Sequence, residues 1–268
     1  MMKNQYGHVS SLRLAAVDKG GKTVLEDCFF RTPFKVMKPF YPGGGKTMQV
    51  IVMSSSAGIM AGDVQQMELF VGQDARMEVT TQSFEKIHKM EPGGSARRDT
   101  EITVAAGGFL CYDPLPVIPF AQSDFTSHTA IHLADRTSAV VYGEILSCGR
   151  AARGECFQYH SYQNHVRIDL AGTPVYLDNT IYLPEQMELS AVGFFEGYTH
   201  LANWIAFGGG ACERVEEIRA YLSGREEAGR VCGGVTKTAG GGVAVRLLGN
   251  SAQILQEVLA EMKGSGGE

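Results

Sequence analysis

The chain has 268 residues, with 24 Lys+Arg against 29 Asp+Glu and a formal net charge of -5. Mild acidity argues against general binding of nucleic-acid phosphates, and no window approaches the ~18 uninterrupted apolar residues of a membrane span. The 44% hydrophobic residues suffice for a full core, and 33 Gly with 9 Pro fall short of a low-complexity composition.

Met1 to Leu14 carries no apolar stretch of the kind that opens a signal peptide. Leu12–Val17 and Thr23–Phe29 read as a hairpin, because Gly20-Gly21 between them can take positive φ cheaply. Strands are then predicted over Met48–Met53, Gln65–Val71, Ala75–Thr81, Thr100–Val104, Phe109–Tyr112, Thr126–Leu133 and Ala139–Leu146. Phe157–Tyr162, His165–Leu170, Val175–Tyr182, Tyr198–Phe207 and Val243–Leu248 continue the series. Many short strands with Gly, Pro, Asp or Ser between them suggest a mainly β sandwich, barrel or solenoid. No repeat of fixed length is visible.

Two segments near the C-terminus read as helices. Glu213–Leu222 carries Val215, Ile218 and Leu222 on one face, with Gly224 as its stop. Ser251–Lys263 starts at Ser251 as N-cap and carries the stripe Ile254, Leu255, Val258, Leu259 and Met262. That stripe is expected to pack on the β core, with partner docking as the alternative. Gly264 to Glu268 is expected to fray. No linker forces a boundary, so residues 1–268 are taken as one domain. The six cysteines, Cys28, Cys111, Cys148, Cys156, Cys212 and Cys232, form no C-x-x-C pair, and reduced thiols in the cytoplasm are the simplest reading.

Motifs with a fixed chemistry are scarce. Pro42-Gly43-Gly44-Gly45-Lys46-Thr47 imitates a phosphate loop, but Phe40 stands where the first glycine is required, so a turn before a strand accounts for it better. His128 and His132 fall in a strand, and His160 and His165 match no structural zinc spacing; surface or hydrogen-bonded roles suit them better. No G-x-S-x-G elbow occurs. What stands out is acid beside apolar strands: Asp63, Glu144 and Asp178 adjoin segments expected to be buried, where a carboxylate needs a partner, water or an ion. Turn chemistry, salt bridges or edge protection could explain each singly.

As an ordered set, several segments resemble the urease accessory protein family UreD, called UreH in some members. They are Lys38-Pro39-Phe40-Tyr41-Pro42, Ala57–Asp63, Thr80–Lys86, Ile118-Pro119-Phe120, Cys148–Glu155 and Val245–Gly249, and the likeness runs from about Ser10 to Met262. Ser83–His88 looks most like the UreH branch. Ala57 and Ala61 replace one glycine each of the family's commoner glycine pairs, which requires ordinary backbone angles there or a different turn.

The resemblance implies a β-helix-like stack of many short strands with two helices near the C-terminus. It implies a non-enzymatic scaffold that docks on apo-urease, binds UreF directly and the GTPase UreG through UreF, and conducts nickel(II). No tightly bound cofactor and no nucleic-acid or membrane partner is implied. The family's acidic positions carry over onto Asp63, Glu144 and Asp178, with Glu85 less securely placed. Arg150 and Arg153 are expected to orient Glu144 or Glu155 or to face a partner, and His200 is a further polar candidate. Two rivals are an acidic solenoid hydrolase using Asp63 and Glu144 as a carboxylate pair, and a stable metal-binding module.

Overall fold

The computed structural model describes residues 9–264. In chain order its strands are β1 (Val9–Asp18), β2 (Thr23–Phe30), β3 (Phe34–Val36), β4 (Met48–Ser54), β5 (Val64–Val71), β6 (Arg76–Thr81), β7 (Glu85–Ile87), β8 (Ala96–Val104) and β9 (Phe109–Tyr112). Then come β10 (Val117–Pro119), β11 (Asp124–Leu133), β12 (Ala139–Ser147), β13 (Ser161–Leu170), β14 (Thr173–Tyr182) and β15 (His200–Phe207). Helix α1 (Val215–Glu227), β16 (Val231–Lys237), β17 (Val243–Gly249) and helix α2 (Ala252–Gly264) complete it.

From β4 to β13 the chain passes back and forth between two sheets, with the short β7 and β10 pairing alongside the second. Sheet I has the order β14-β13-β11-β8-β5-β1-β2, and sheet II the order β16-β17-β15-β12-β9-β6-β4-β3. The central neighbours in both are parallel, β5 with β8, β11 and β13 in one, β4 with β6, β9 and β12 in the other. Parallel neighbours need a crossover, and here the crossover is a strand of the opposite sheet. The result is a β-solenoid, as the family resemblance implied. Its turns are unequal: Met48 aligns with Met77, Met77 with Leu110, and Leu110 with Val140. That inequality hides the repeat from a search for one period.

Alternation sets the core. Met67, Leu69 and Val71 of β5, Ile102 and Val104 of β8, and Ile131 and Leu133 of β11 point inward and are buried against Val50, Val79, Leu110 and Val140 of sheet II. Sheet II is also covered on its outer face. Leu201–Phe207 is therefore buried at every position, with Ala202, Trp204 and Ala206 packing beneath the helices. Leu255, Val258, Leu259 and Met262 of α2 lie in that same cluster, so the stripe does pack on the β core.

Four expectations need correction. Phe157–Tyr162 and His165–Leu170 are not two strands: Phe157 takes φ 53, and a single strand runs from Ser161 to Leu170. The short strands β3, β7 and β10 and the Gly-rich β16 carry too little periodicity to be read from sequence. Helix α1 runs through Gly224 to Glu227; Gly229, at φ 66, ends it, with the Arg230 amide donating to the Arg225 carbonyl as in a Schellman cap. Gly264 closes α2 instead of fraying, and the rest of the expected tail lies outside the described residues. The turns were better foreseen. Gly20 and Gly21 take φ 69 and 85 in the β1–β2 hairpin, and Pro42–Gly44 is a short 3-10 turn before β4.

A polar line inside the solenoid

In-register stacking lets one level of the coil carry one chemistry. On sheet I, Ser10, Gln65, Arg98, Ser127, Asn164 and Thr180 are successive register partners across six strands. All are inward positions by the alternation that buries Leu69 and Ile131. On sheet II, Glu144, Asn203 and Arg246 are register partners across β12, β15 and β17. The two rows meet between the sheets, separating the main core from a smaller apolar cluster around Phe125, Leu146 and Phe195.

Glu144 is the centre of this line. Asn164 Nδ2 donates to both its oxygens at 2.8 Å, Asn203 Nδ2 donates at 2.8 Å, and the Tyr142 hydroxyl donates at 2.9 Å. Burial, and secondarily the charge of Asp178, holds its carboxyl above the ordinary glutamate range despite these donors. A small cavity lined by Glu144, Asn164, Thr180 and Asn203 has room for about one water. Asn203 passes the line on, its Oδ1 accepting from Arg246 Nε at 2.9 Å, and Arg246 pairs with Asp178. Asp178 also accepts from Thr180 at 3.0 Å, and its side chain is 10% exposed. Glu144 and Asp178, two of the acids singled out in sequence, are thus brought together.

At the other end Glu85 pairs with Arg98, whose Nε also donates to Gln65 Oε1 at 2.9 Å. This group lines a surface cleft of about 160 Å³ together with Tyr112. Tyr112 stacks on Tyr142 at 5.9 Å, which links the cleft to Glu144. Its hydroxyl is pushed up first by burial, and then by Glu85 and Glu144 against the opposing charge of Arg98. Glu85 therefore joins the line at its mouth.

The remaining candidates lie elsewhere. Asp63 closes a turn, accepting from the Met60 amide at 2.8 Å, and lines neither the cleft nor the Glu144 cavity. In that turn only Gly58 and Gly62 take positive φ, at 153 and 85, so Ala57 and Ala61 sit at ordinary angles. Gly58 cannot be larger: a Cβ there would stand 2.3 Å from the Lys86 carbonyl oxygen. Arg150 pairs with Glu155, not with Glu144, and stacks 4.2 Å from Phe120. Glu155 also accepts from the Ala121 amide at 2.7 Å, so the pair clamps the 148–157 loop, and Arg150 holds the Glu155 carboxyl below its usual range. Arg153 is exposed on that loop's 3-10 turn. His200 falls on the helix-side parity of Ala202 and Trp204; its ring contacts the Thr199 hydroxyl at 2.8 Å, and burial lowers its pKa.

His128, His132 and His165 follow the surface or hydrogen-bonded reading. His128 stacks on His165 at 4.7 Å and reaches Asp99, while His132 reaches Glu101 and Asp169. Among the described residues, no group of three or more His, Cys, Asp or Glu is arranged to hold a metal ion. No helix among them is long and apolar enough to cross a membrane. Asn164, Asn203, Arg246, Gln65, Arg98 and Tyr142 escaped the sequence reading. The signal they did leave is a polar residue at an inward parity position, as in Leu201-Ala202-Asn203-Trp204.

The family profile described as UreD urease accessory protein matches residues 8–264. The chain is 39% identical to a urease accessory protein UreD of Acetivibrio thermocellus, covering 96% of this chain and 97% of that one. It is 36% identical to a urease accessory protein UreH of Helicobacter pylori, covering 94% and 92%, and 40% identical to a UreH of Helicobacter acinonychis, covering 75% of each.

Proposed function

This chain belongs to the UreD family of urease accessory proteins, and we propose that it serves urease maturation as a cytoplasmic scaffold that docks on apo-urease, binds UreF, recruits UreG through UreF, and passes nickel(II) along its interior. The observation that carries the conduction reading is a pair of polar groups at one level of the coil, Gln65, Glu85 and Arg98 at one end and Tyr142, Glu144, Asn203, Arg246 and Asp178 at the other, joined by the stacked rings of Tyr112 and Tyr142. Nickel as cargo needs ligands that attract it and let it go. Imidazole and thiolate bind it tightly, whereas carboxylate, amide and hydroxyl oxygens suit transit.

Charge along the line sharpens the reading. Glu85 is neutralised by Arg98 and Asp178 by Arg246, so the unmatched negative charge falls on Glu144. Burial raises its pKa, so its ionised form is held less comfortably than a surface glutamate's, and a dication beside it would favour that form. Arg246 is half exposed and can swing away from Asp178, opening a carboxylate at that end. Asp63, Arg150 and Glu155 are then given to shaping loops, and Arg153 and His200 to surfaces outside the line.

The test is co-expression of Glu144→Ala, Glu144→Gln and Asp178→Ala with apo-urease, UreF and UreG. The expected result is urease with a lower nickel content and activity, while each variant still folds and still co-purifies with UreF. Full activation with all three variants overturns the conduit. Hydrolytic turnover by the purified chain alone would favour the hydrolase rival, although Asp63 and Glu144 share no cavity. Stoichiometric metal that survives dialysis would favour a storage module.

A further inference from the structure

A cavity larger than the cleft at Glu85 lies off the polar line. A cleft of about 690 Å³ lies on the outer face of sheet II, walled by the start of α1, the end of α2 and the Gly45–Thr47 turn. Its floor follows the register Glu78, Cys111, Val141 and Ala206, with Phe109 and Ile218 beside it. The volume is that of a small-molecule site, and the floor is largely apolar.

Its charge runs against that of the chain. The protein carries -5 overall, yet Lys46, Arg76, Arg214 and Lys263 line the cleft against one carboxylate, Glu78. Glu78 is already held by Gln49 Nε2 at 3.0 Å. Lys263 is paired with Asp113, and Arg214 leans on Glu217 and the Met262 carbonyl. Among the described residues Lys46 and Arg76 have no carboxylate partner; Arg76 Nε donates to the Thr47 hydroxyl at 3.4 Å and its guanidinium rests 4.6 Å from the Phe109 ring centroid. The Gly-rich turn that imitates a phosphate loop thus presents its lysine to an apolar cleft rather than to a helix N-terminus. Trp204 lines the cleft and is 2% exposed, and its buried Nε1–H finds no acceptor among the described residues. A buried donor without an acceptor is rare in native structures. Cys111 adds no reactive thiolate, since burial pushes its thiol up to about 12.

We propose that this cleft binds a small organic anion, a carboxylate carried on an apolar body, with Lys46 and Arg76 facing the charge and Phe109, Val141 and Ala206 covering the body. Inorganic phosphate lacks the apolar body, and an alkylammonium of the same length has the wrong sign.

Trp204 is the chain's only tryptophan, so its emission reports on the cleft directly. Octanoate titrated into the purified full chain should change that emission saturably. Half-saturation should come at about tenfold lower concentration than for octylammonium, and phosphate should neither produce the change nor compete. Lys46→Glu, in an exposed turn, should raise the octanoate half-saturation about tenfold or more with unchanged melting temperature, and Arg76→Gln should do the same. A non-saturating response, equal responses to octanoate and octylammonium, or indifference to both substitutions overturns the proposal.

Discussion

Asn203→Leu tests the polar line at its most connected residue. The side chain is 6% exposed, donates to Glu144 at 2.8 Å and accepts from Arg246 at 2.9 Å. Leucine keeps the approximate shape and removes both contacts. Each involves a charged or chargeable group, and such hydrogen bonds contribute roughly 1.5–3 kcal/mol apiece. The added apolar burial returns roughly 1–2 kcal/mol. A net loss of about 3 kcal/mol follows, within a range of about 1–5, equivalent to a fall of roughly 6–12 °C in melting temperature for a domain of this size. The loss should also depend on pH. Burial already raises the Glu144 pKa in the folded state, and the Asn203 donor is what chiefly opposes that rise. A carboxyl with a raised folded pKa binds more protons folded than unfolded, so stability falls as pH rises through that pKa. Without Asn203 the pKa moves further up, and the penalty for ionising Glu144 grows. The variant should therefore be hurt more at about pH 8 than at about pH 5.5. Urea denaturation of both proteins at the two pH values measures this. An equal loss at both would show that Asn203 does not serve the ionised carboxyl, and a loss below about 0.5 kcal/mol would remove it from the stabilising network.

Other substitutions probe the frame around the line. Gly58→Ala should destabilise by about 1–3 kcal/mol in thermal melts, since φ 153 and a 2.3 Å approach to the Lys86 carbonyl both oppose a Cβ. Leu255→Ala, at a fully buried position under β17, should cost about 2–5 kcal/mol; a loss under about 1 kcal/mol would return the α2 stripe to the docking alternative. Glu155→Gln should remove one source of acid lability. The Arg150 hydrogen bond depresses the Glu155 pKa, so its stabilisation is complete above the ordinary glutamate range and is lost as pH falls through the depressed value. The gap between wild type and variant should therefore shrink on acidification, and a gap independent of pH would refute the charged clamp.

Parts of this site were legible in the residues and parts were not. Glu144 and Asp178 could be singled out because a carboxylate inside an apolar alternation needs compensation, and the structure supplies it through Asn164, Asn203, Tyr142 and Arg246. Asp63 presented the same local signature but lies in a turn, where its carboxylate is used by the Met60 amide. Arg150 stood near Glu144 in sequence, yet the loop folds it back on Glu155. The neutral amides drew no notice, because an isolated Asn in a strand is unremarkable until its neighbours on other strands are known.

Strand alternation, turn glycines and the two helical stripes are local. They follow from side-chain period and backbone sterics within a few residues, which is why a mainly β chain with two late helices could be read from the amino acids alone. Register between strands is not local. It depends on how many residues each turn of the coil spends before returning, and those numbers vary from Met48 through Met77 and Leu110 to Val140. Only the folded solenoid could place Gln65, Arg98, Ser127 and Asn164 at one level opposite Glu144 and Asn203. The same packing set the outer face of sheet II against α1 and α2, leaving a basic cleft on an acidic protein.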